Sequence, residues 1–313
     1  MAFLLMSIAA IIDLGSNTFN LLIVKKYGSI YRTIFKTKIP AKLGAGGFLQ
    51  KTITPEAFKR GVLAIQAHQM TIQQYGAEDV YAFATSAMRD ADNGSDFVKE
   101  IASLTGIEIN VISGDREAEL IYKGVGSALE IGEQPELIMD IGGGSTEFII
   151  ADNKEVLWKH SFDLGVSRLF ERLKPSDPLT ESDLVQLEAY LDEQLNTLFT
   201  AVSQHEVSAL IGASGSFDSL AKMIEMSSKG SNKLAGATEY TFSFPDIDQL
   251  NTKLVSSTFE ERENIMGLVP YRIETIPLAS SFIHYIIRKL SLTKIRLSTY
   301  SLREGVVSEL GVE

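Results

Sequence analysis

The sequence predicts a duplicated α/β protein, two mixed sheets each covered by helices, and three observations carry that prediction. A motif occurs twice: Ile11-Ile12-Asp13-Leu14-Gly15-Ser16-Asn17-Thr18 near the start, and Ile138-Met139-Asp140-Ile141-Gly142-Gly143-Gly144-Ser145-Thr146 near the middle. Each is an apolar run that stops on an Asp, then a small-residue turn, then a second apolar run. That is the pattern of a buried strand delivering one carboxylate to its end and turning back. Second, each motif is followed by helical and strand patterns in the same order. Third, a small-residue loop follows the fourth strand of each half, Ala84-Thr85-Ser86-Ala87 in one and Gly212-Ala213-Ser214-Gly215-Ser216 in the other. Matched features in matched order mark an internal repeat.

In the first half the patterns give strands over 7–13, 19–26 and 29–39, with tight turns at Asn17 and Gly28. A helix follows over 55–74. Thr54-Pro55-Glu56 starts it with a hydroxyl cap, a proline at the first helical position and an acid near the positive dipole end. Strand 79–84, helix 94–105, strand 107–112 and helix 115–129 complete the half. The second half gives strands over 136–141, 145–151 and 154–162, helices over 165–173 and 180–199, strand 207–211 and helix 215–226. A long insertion, a helix over 270–290, strand 294–298 and a last helix from 302 follow. Three antiparallel strands followed by alternating helices and strands fit a ribonuclease H-like unit. A chain of 313 residues has room for two such cores. The expected domains are 1–126 and 127–313, with the final helix 302–313 packing back on the first.

Composition narrows the chemistry. There is no cysteine, which excludes disulfides, thiolate zinc sites and a cysteine nucleophile. The four histidines are scattered, with no pair at ligand spacing. The net charge of −11 disfavours stable nucleic-acid binding, which needs basic surface. The charge is uneven, however. No acid lies between Asp13 and Glu56, while Lys25, Lys26, Arg32, Lys36, Lys38, Lys42 and Lys51 all do. That stretch is either a solvated hairpin face or a basic rim that attracts an anionic substrate. The apolar start, Met1 to Ala10, lacks a basic n-region and runs straight into the first Asp turn, so residues before Ser7 are read as a ragged start. No segment reaches membrane-spanning length without charge. A cytoplasmic protein that does not engage a membrane is expected.

The motifs point to phosphoryl chemistry. Three consecutive glycines between apolar strands are either a tight hairpin turn or a cradle of N–H groups for phosphate. On the second reading Ser145 and Thr146 add hydroxyl donors, and Asp140 and Glu147 supply hard oxygen ligands suited to Mg²⁺. Asp13, Gly15, Ser16, Asn17 and Thr18 form the weaker counterpart. Two such turns suggest a cleft that grips one polyanion from both sides. Gly212, Ser214 and Gly215 open a helix whose N–H groups can bind an anion, unless the glycines only permit close packing. Arg89 offers a planar fork for a phosphoryl group, or pairs with Asp90 or Asp92. Glu117 stands in a first helical turn, where acids occur for dipole reasons alone. Lying between the halves, it is also placed to act as general base on a water. Leu302-Arg303-Glu304-Gly305 is read as capping and packing.

Together these residues resemble the exopolyphosphatase and guanosine pentaphosphate phosphatase family, of the actin, hexokinase and DnaK-type superfold. The resemblance runs in order through IIDLGSNTFNLLIV, ATSAMRDADNG, ISGDREAELIYKGV, MDIGGGSTEFII, IGASGSFDSL and LSTYSLREGVV. It implies a duplicated actin-like ATPase fold with Glu117 as general base and Arg89 as substrate-binding arginine. Asp140 with Glu147 become metal-linked acids, and Asp13 to Thr18 and Gly142 to Thr146 the two phosphate loops. Asn20 stands where the family often has a basic residue or histidine. The chain ends soon after its LREG helix, where longer members continue into an HD-type domain, which implies a shorter substrate channel. The expected activity is Mg²⁺-assisted release of terminal phosphate from inorganic polyphosphate by a homodimer. Guanosine pentaphosphate 5'-phosphatase is the nearest alternative. A kinase of the same superfold and a non-catalytic polyphosphate or nucleotide sensor are the others.

Overall fold

The computed structural model describes residues 7–28, 30–229, 234 and 236–311, so the ragged start before Ser7 lies outside the described residues. The chain divides into two compact units, Met1–Gly124 with Leu302–Glu313, and Val125–Ser301.

The first unit holds β1 (Ile8–Leu14), β2 (Thr18–Tyr27), β3 (Ile30–Pro40), α1 (Pro55–Tyr75), β4 (Asp79–Ala84), α2 (Ser86–Asp90), α3 (Gly94–Thr105) and β5 (Ile109–Val111). The chain leaves it within α4 (Gly114–Ala128). Its sheet has the order β3-β2-β1-β4-β5, with β1, β2 and β3 antiparallel and β4 and β5 parallel to β1. Local chemistry fixes the helix ends. Thr54 accepts the Ala57 N–H at 3.3 Å, Pro55 opens α1, and Gly76 closes it with φ 65°. Ala10, Ile12, Leu14, Phe19, Leu21 and Ile23 point to one face and build a core with α1 and α3. The alternate residues, Ile11, Leu22 and Asp13 among them, therefore share the other face. There α12 (Leu302–Leu310) packs on β1, and Gly305 meets the Leu120 carbonyl so closely that a Cβ would collide with it. The packing reading of that helix start holds.

The second unit repeats the plan: β6 (Glu136–Ile141), β7 (Thr146–Ala151), β8 (Val156–Phe162), α5 (Val166–Leu173), α6 (Glu181–Gln194), α7 (Asn196–His205), β9 (Leu210–Ala213) and α8 (Ser214–Lys229). After these come β10 (Glu239–Phe242), α9 (Phe244–Ser256), α10 (Phe259–Glu263), a 3₁₀ turn at Pro270–Arg272, α11 (Ile276–Lys289) and β11 (Ile295–Ser298). The strand order β8-β7-β6-β9-β11 matches that of the first unit, with β10 added antiparallel beside β11. Both units are thus ribonuclease H-like, and the chain is a duplicated α/β fold.

Three elements differ from expectation. The helix expected over 180–199 is two, broken at Leu195, with Leu187, Leu191, Leu195 and Leu198 in one core across the break. The insertion folds into β10, α9 and α10. The four residues of β10 are too few for alternation to register. The same brevity hid α2, a helix of five residues.

Candidate active site

In the first unit, the turn after β1 is closed by the Gly15 N–H donating to the Thr18 carbonyl at 3.1 Å. Register puts Asp13 opposite Asn20, and the Asn20 amide donates to Asp13 Oδ2 at 2.9 Å. Ser16 Oγ accepts the Ala87 N–H, tying the turn to the start of α2. The Ser16 and Asn17 carbonyls accept from Gly44 and Lys42. Thr18 begins β2.

Arg89 and Glu117, far apart in sequence, meet in this unit. Arg89 Nη1 donates to Glu117 Oε2 and to the Ile112 carbonyl, each at 3.1 Å. Arg89 Nε also stands 3.6 Å from Asp90, whose other oxygen accepts from Ser86. Glu117 is 7 % exposed. A carboxylate removed from bulk water, with a guanidinium on one oxygen, is placed as a proton acceptor is in an active site.

In the second unit the corresponding turn is closed in the same way, by the Gly142 N–H donating to the Ser145 carbonyl at 3.0 Å. The loop carbonyls are taken by the start of α5. Val166 N–H donates to Gly142, Ser167 and Arg168 N–H to Gly143, and Arg168 Nε to Gly144 at 2.8 Å. Gly165 lies against Gly143 and Gly144 so tightly that a Cβ would overlap their backbone. With its carbonyls committed on one side, the loop presents its N–H groups on the other. Among the described residues the Gly143 and Gly144 N–H groups donate to no protein acceptor, though both residues are buried. Buried unpaired donors are costly, and an anion would satisfy them.

Asp140 and Glu147 are register partners on β6 and β7, so their carboxylates share a face. Ser301 donates to Asp140 Oδ2 at 2.5 Å, and Ser161 to Glu147 Oε1 at 2.6 Å. Burial pushes the Asp140 carboxyl above its usual range. Hydrogen bonds from Ser214 and Ser301 oppose that shift, Asp218 adds to it and Arg272 works against it. Among the described residues no three acids or histidines form a closed metal cage. A pair of adjacent carboxylates still fits Mg²⁺, which usually takes one or two carboxylates and fills its shell with water and substrate phosphate. Asp140 and Glu147 are the residues that would hold it.

Two expected phosphate contacts need correction. The Thr146 hydroxyl donates to the Leu164 carbonyl at 3.0 Å inside the fold, so its proton is spent on the hairpin. Gly212 lies within β9, paired on both edges, and the missing Cβ makes room for the Phe217 ring. There the packing reading wins. Ser214 holds φ 65° at the strand-to-helix corner, and its hydroxyl oxygen lies 3.3 Å from the Ile141 carbonyl. Gly215 opens α8, and the Arg272 guanidinium occupies the space a Cβ would need.

Arg272 is absent from the sequence reading. It sits against the first turn of α8 and acts on Asp140, where its charge can face an anion. The following residue is pinned by a buried arginine, because Arg262 Nε donates to the Ile273 carbonyl at 2.8 Å. Pro270-Tyr271-Arg272 carries no motif, so no local signal marked it.

The chain is similar to known proteins over nearly its whole length. A sequence model of the Ppx/GppA phosphatase family matches residues 22–311. An exopolyphosphatase from Cytophaga hutchinsonii is 37% identical, with a TM-score of 0.95 over 97% of this chain and 98% of that one. An exopolyphosphatase-like protein is 24% identical, with a TM-score of 0.86 over 98% of each chain. The PPX-GPPA enzyme of Aquifex aeolicus is 21% identical, with a TM-score of 0.78 over 97% of this chain and 99% of that one. Two carboxylate hairpins on a repeated sheet, matched over nearly the whole chain, leave one assignment: the chain belongs to the Ppx/GppA phosphatase family.

Proposed function

We propose that the protein is an exopolyphosphatase, removing terminal orthophosphate from inorganic polyphosphate. The observation that carries this reading is the Glu117–Arg89 pair, a buried carboxylate held 3.1 Å from a guanidinium. Glu117 accepts a proton from water as that water's oxygen bonds to the terminal phosphorus. The bond to the bridging oxygen breaks, and the shortened chain leaves with the electron pair. Arg89 exchanges part of its hold on Glu117 for the phosphoryl oxygens, where its planar fork meets the charge of the transferred group. On the second unit, the Gly143 and Gly144 N–H groups and Arg272 are fixed positive ends suited to phosphate oxygens. Mg²⁺ held by Asp140 and Glu147 would neutralise phosphate charge.

The likeness to the Cytophaga protein, which carries the exopolyphosphatase name, supports polyphosphate as substrate. Guanosine pentaphosphate offers the same bond to the same groups. Side-by-side assay of phosphate release from both substrates with Mg²⁺ is the test. Faster release from polyphosphate is expected. Release from guanosine pentaphosphate alone would transfer the assignment to the nucleotide, and binding without release from either would make the chain a sensor. Transfer of phosphate to an acceptor other than water would make it a kinase.

A further inference from the structure

We infer that the edge strand β3 is a binding track for the distal part of a long polyphosphate chain, with Lys38 and Lys36 as its successive contacts and Lys42 at its mouth. The inference rests on the polyphosphate reading above and specifies where a long chain runs on the first unit.

Register is the first support. Lys38 pairs with Asn20, and Asn20 pairs with Asp13, so these three residues form one row across β3, β2 and β1. Directly paired residues point to the same side of a sheet. Lys38 therefore stands on the face of Asp13, two strand spacings, about 9.5 Å, from it. Lys36 pairs with Leu22, the next residue of that face, so it follows Lys38 at about 6.7 Å along the same edge. Both lysines are exposed on an edge strand. On the other side of the turn, the Lys42 N–H donates to the Asn17 carbonyl, which fixes Lys42 beside the loop, and its side chain is exposed. The three cations thus form a line that begins at the turn of residues 13–18 and runs back along β3.

Charge is the second support. The hairpin and the loop after it carry no acid from Leu14 to Pro55. At the hairpin tip, Lys25 and Arg32 lie over the Tyr27 ring and Lys26 over the Tyr31 ring. Nearer the turn, Lys36 and Lys38 lie at strand spacing on the Asp13 face. The second unit gives a contrast within the same fold. Its matching row is Asp140, Glu147 and Ser161, and its hairpin balances Lys154 and Lys159 with Asp152 and Glu155. A solvated hairpin face needs no such bias, and the second unit does without it.

The chemistry follows from chain length. Every phosphate of a polyphosphate carries charge, so a chain entering at the turn can meet Lys42, Lys38 and Lys36 with different phosphates at once. A short anion seated at the turn cannot reach Lys36. The track should act on affinity, and on long chains above all.

The experiment compares long-chain sodium polyphosphate with tripolyphosphate, using the full chain and its Lys36→Gln, Lys38→Gln and Lys42→Gln variants, singly and combined. Lys253→Gln, an exposed lysine of the second unit, controls for net charge. Binding is read by titrating end-labelled chain, so the outcome does not depend on turnover. Each lysine should be worth about two- to fivefold in affinity for the long chain. The loss should be largest at about 0.01 M ionic strength and shrink at about 0.1 M, where the Debye length falls from about 30 to about 10 Å. Lys36→Gln should separate long from short most sharply, through KM and not kcat. Equal losses for both substrates, losses matched by Lys253→Gln, or equal competition by single-stranded DNA would each overturn the track. If the parent protein releases no phosphate from polyphosphate, the function proposed above fails. Lysine-dependent binding of the long chain would still uphold the track, and binding indifferent to the lysines would end it.

Discussion

The two Asp hairpins, residues 13–20 and 140–147, share a backbone and differ in charge. Both turns close on the same hydrogen bond, Gly15 to Thr18 and Gly142 to Ser145. A Cβ on Gly15 or on Gly142 would come to 3.1 Å from the same acceptor in each. In both, the carbonyls of the two central residues are capped by a later segment, residues 42–44 in one case and 166–168 in the other. Duplication has preserved the loop geometry while the side chains diverged. The first row reads carboxylate, amide, ammonium (Asp13, Asn20, Lys38). The second reads carboxylate, carboxylate, hydroxyl (Asp140, Glu147, Ser161). One row caps its acid with an amide, and the other sets two acids side by side. A repeated fold can thus divide labour by changing three side chains on one face.

Within the first unit, two helix starts differ in the same way. Glu117 in α4, the proposed base, is paired to Arg89, whereas the first turn of α12 carries Arg303 beside Glu304, 3.5 Å apart. Glu117→Gln should lower kcat by about 10²–10⁴-fold while substrate binding holds, because the amide keeps the shape and cannot take the proton. Single-turnover phosphate release with a parallel binding titration checks this, and near-normal release would remove Glu117 from the mechanism.

The acid rows should respond unequally to metal. Asp140→Asn or Glu147→Gln should raise the Mg²⁺ concentration for half-maximal rate about tenfold or more. Asp13→Asn should move it far less, since Asn20 already occupies that carboxylate. Equal Mg²⁺ titrations for the variants of both rows would erase the proposed division.

The cover of the second loop leaves no room for a side chain. Gly165→Ala forces a methyl into the Gly143–Gly144 backbone and should cost about 1–3 kcal/mol of stability. It should also reduce turnover, by displacing the loop N–H groups. Glycine-to-alanine at Gly106, whose Cβ would meet nothing but whose φ is 70°, serves as the comparison without a clash. Denaturant melts of both variants with rates under native conditions would show whether the second loop is disturbed.

The smallest effect concerns the supports behind the hairpins. His68 Nε2 lies 3.1 Å from the Phe19 carbonyl, and its Nδ1 is buried without a partner. The matching position, Thr146, is secured by a hydroxyl that does not titrate. Burial lowers the His68 pKa below its ordinary 6.5, against the opposing effect of the Phe19 hydrogen bond. The unfolded chain therefore binds the proton first. Stability should fall as pH drops below 6.5, by at most about 1.4 kcal/mol per pH unit, until the folded value is passed. His68→Gln keeps a donor and removes the titration, so its stability between pH 7 and pH 5 should flatten relative to the parent; equal slopes would clear His68.

The sequence by itself determined the repeat, the class of fold and most of the elements. Asp–turn–apolar patterns, Pro55 with Thr54, and the closing glycines Gly76 and Gly106 act over a few residues, so their physics is local. It also named Asp140 and Glu147 as two acids flanking one turn, though their direct pairing came from the sheet. Tertiary structure decided what depends on distant chain. It brought Arg89 to Glu117, set Arg272 against α8, turned Gly212 into a packing residue under Phe217 and spent the Thr146 proton on Leu164. It also set Lys38 in the row of Asp13, a position three strands assemble and no short stretch of sequence contains. Turns and caps are settled by neighbours along the chain, whereas a side chain's partner is settled by whatever the packed sheet and helices bring within a hydrogen bond of it.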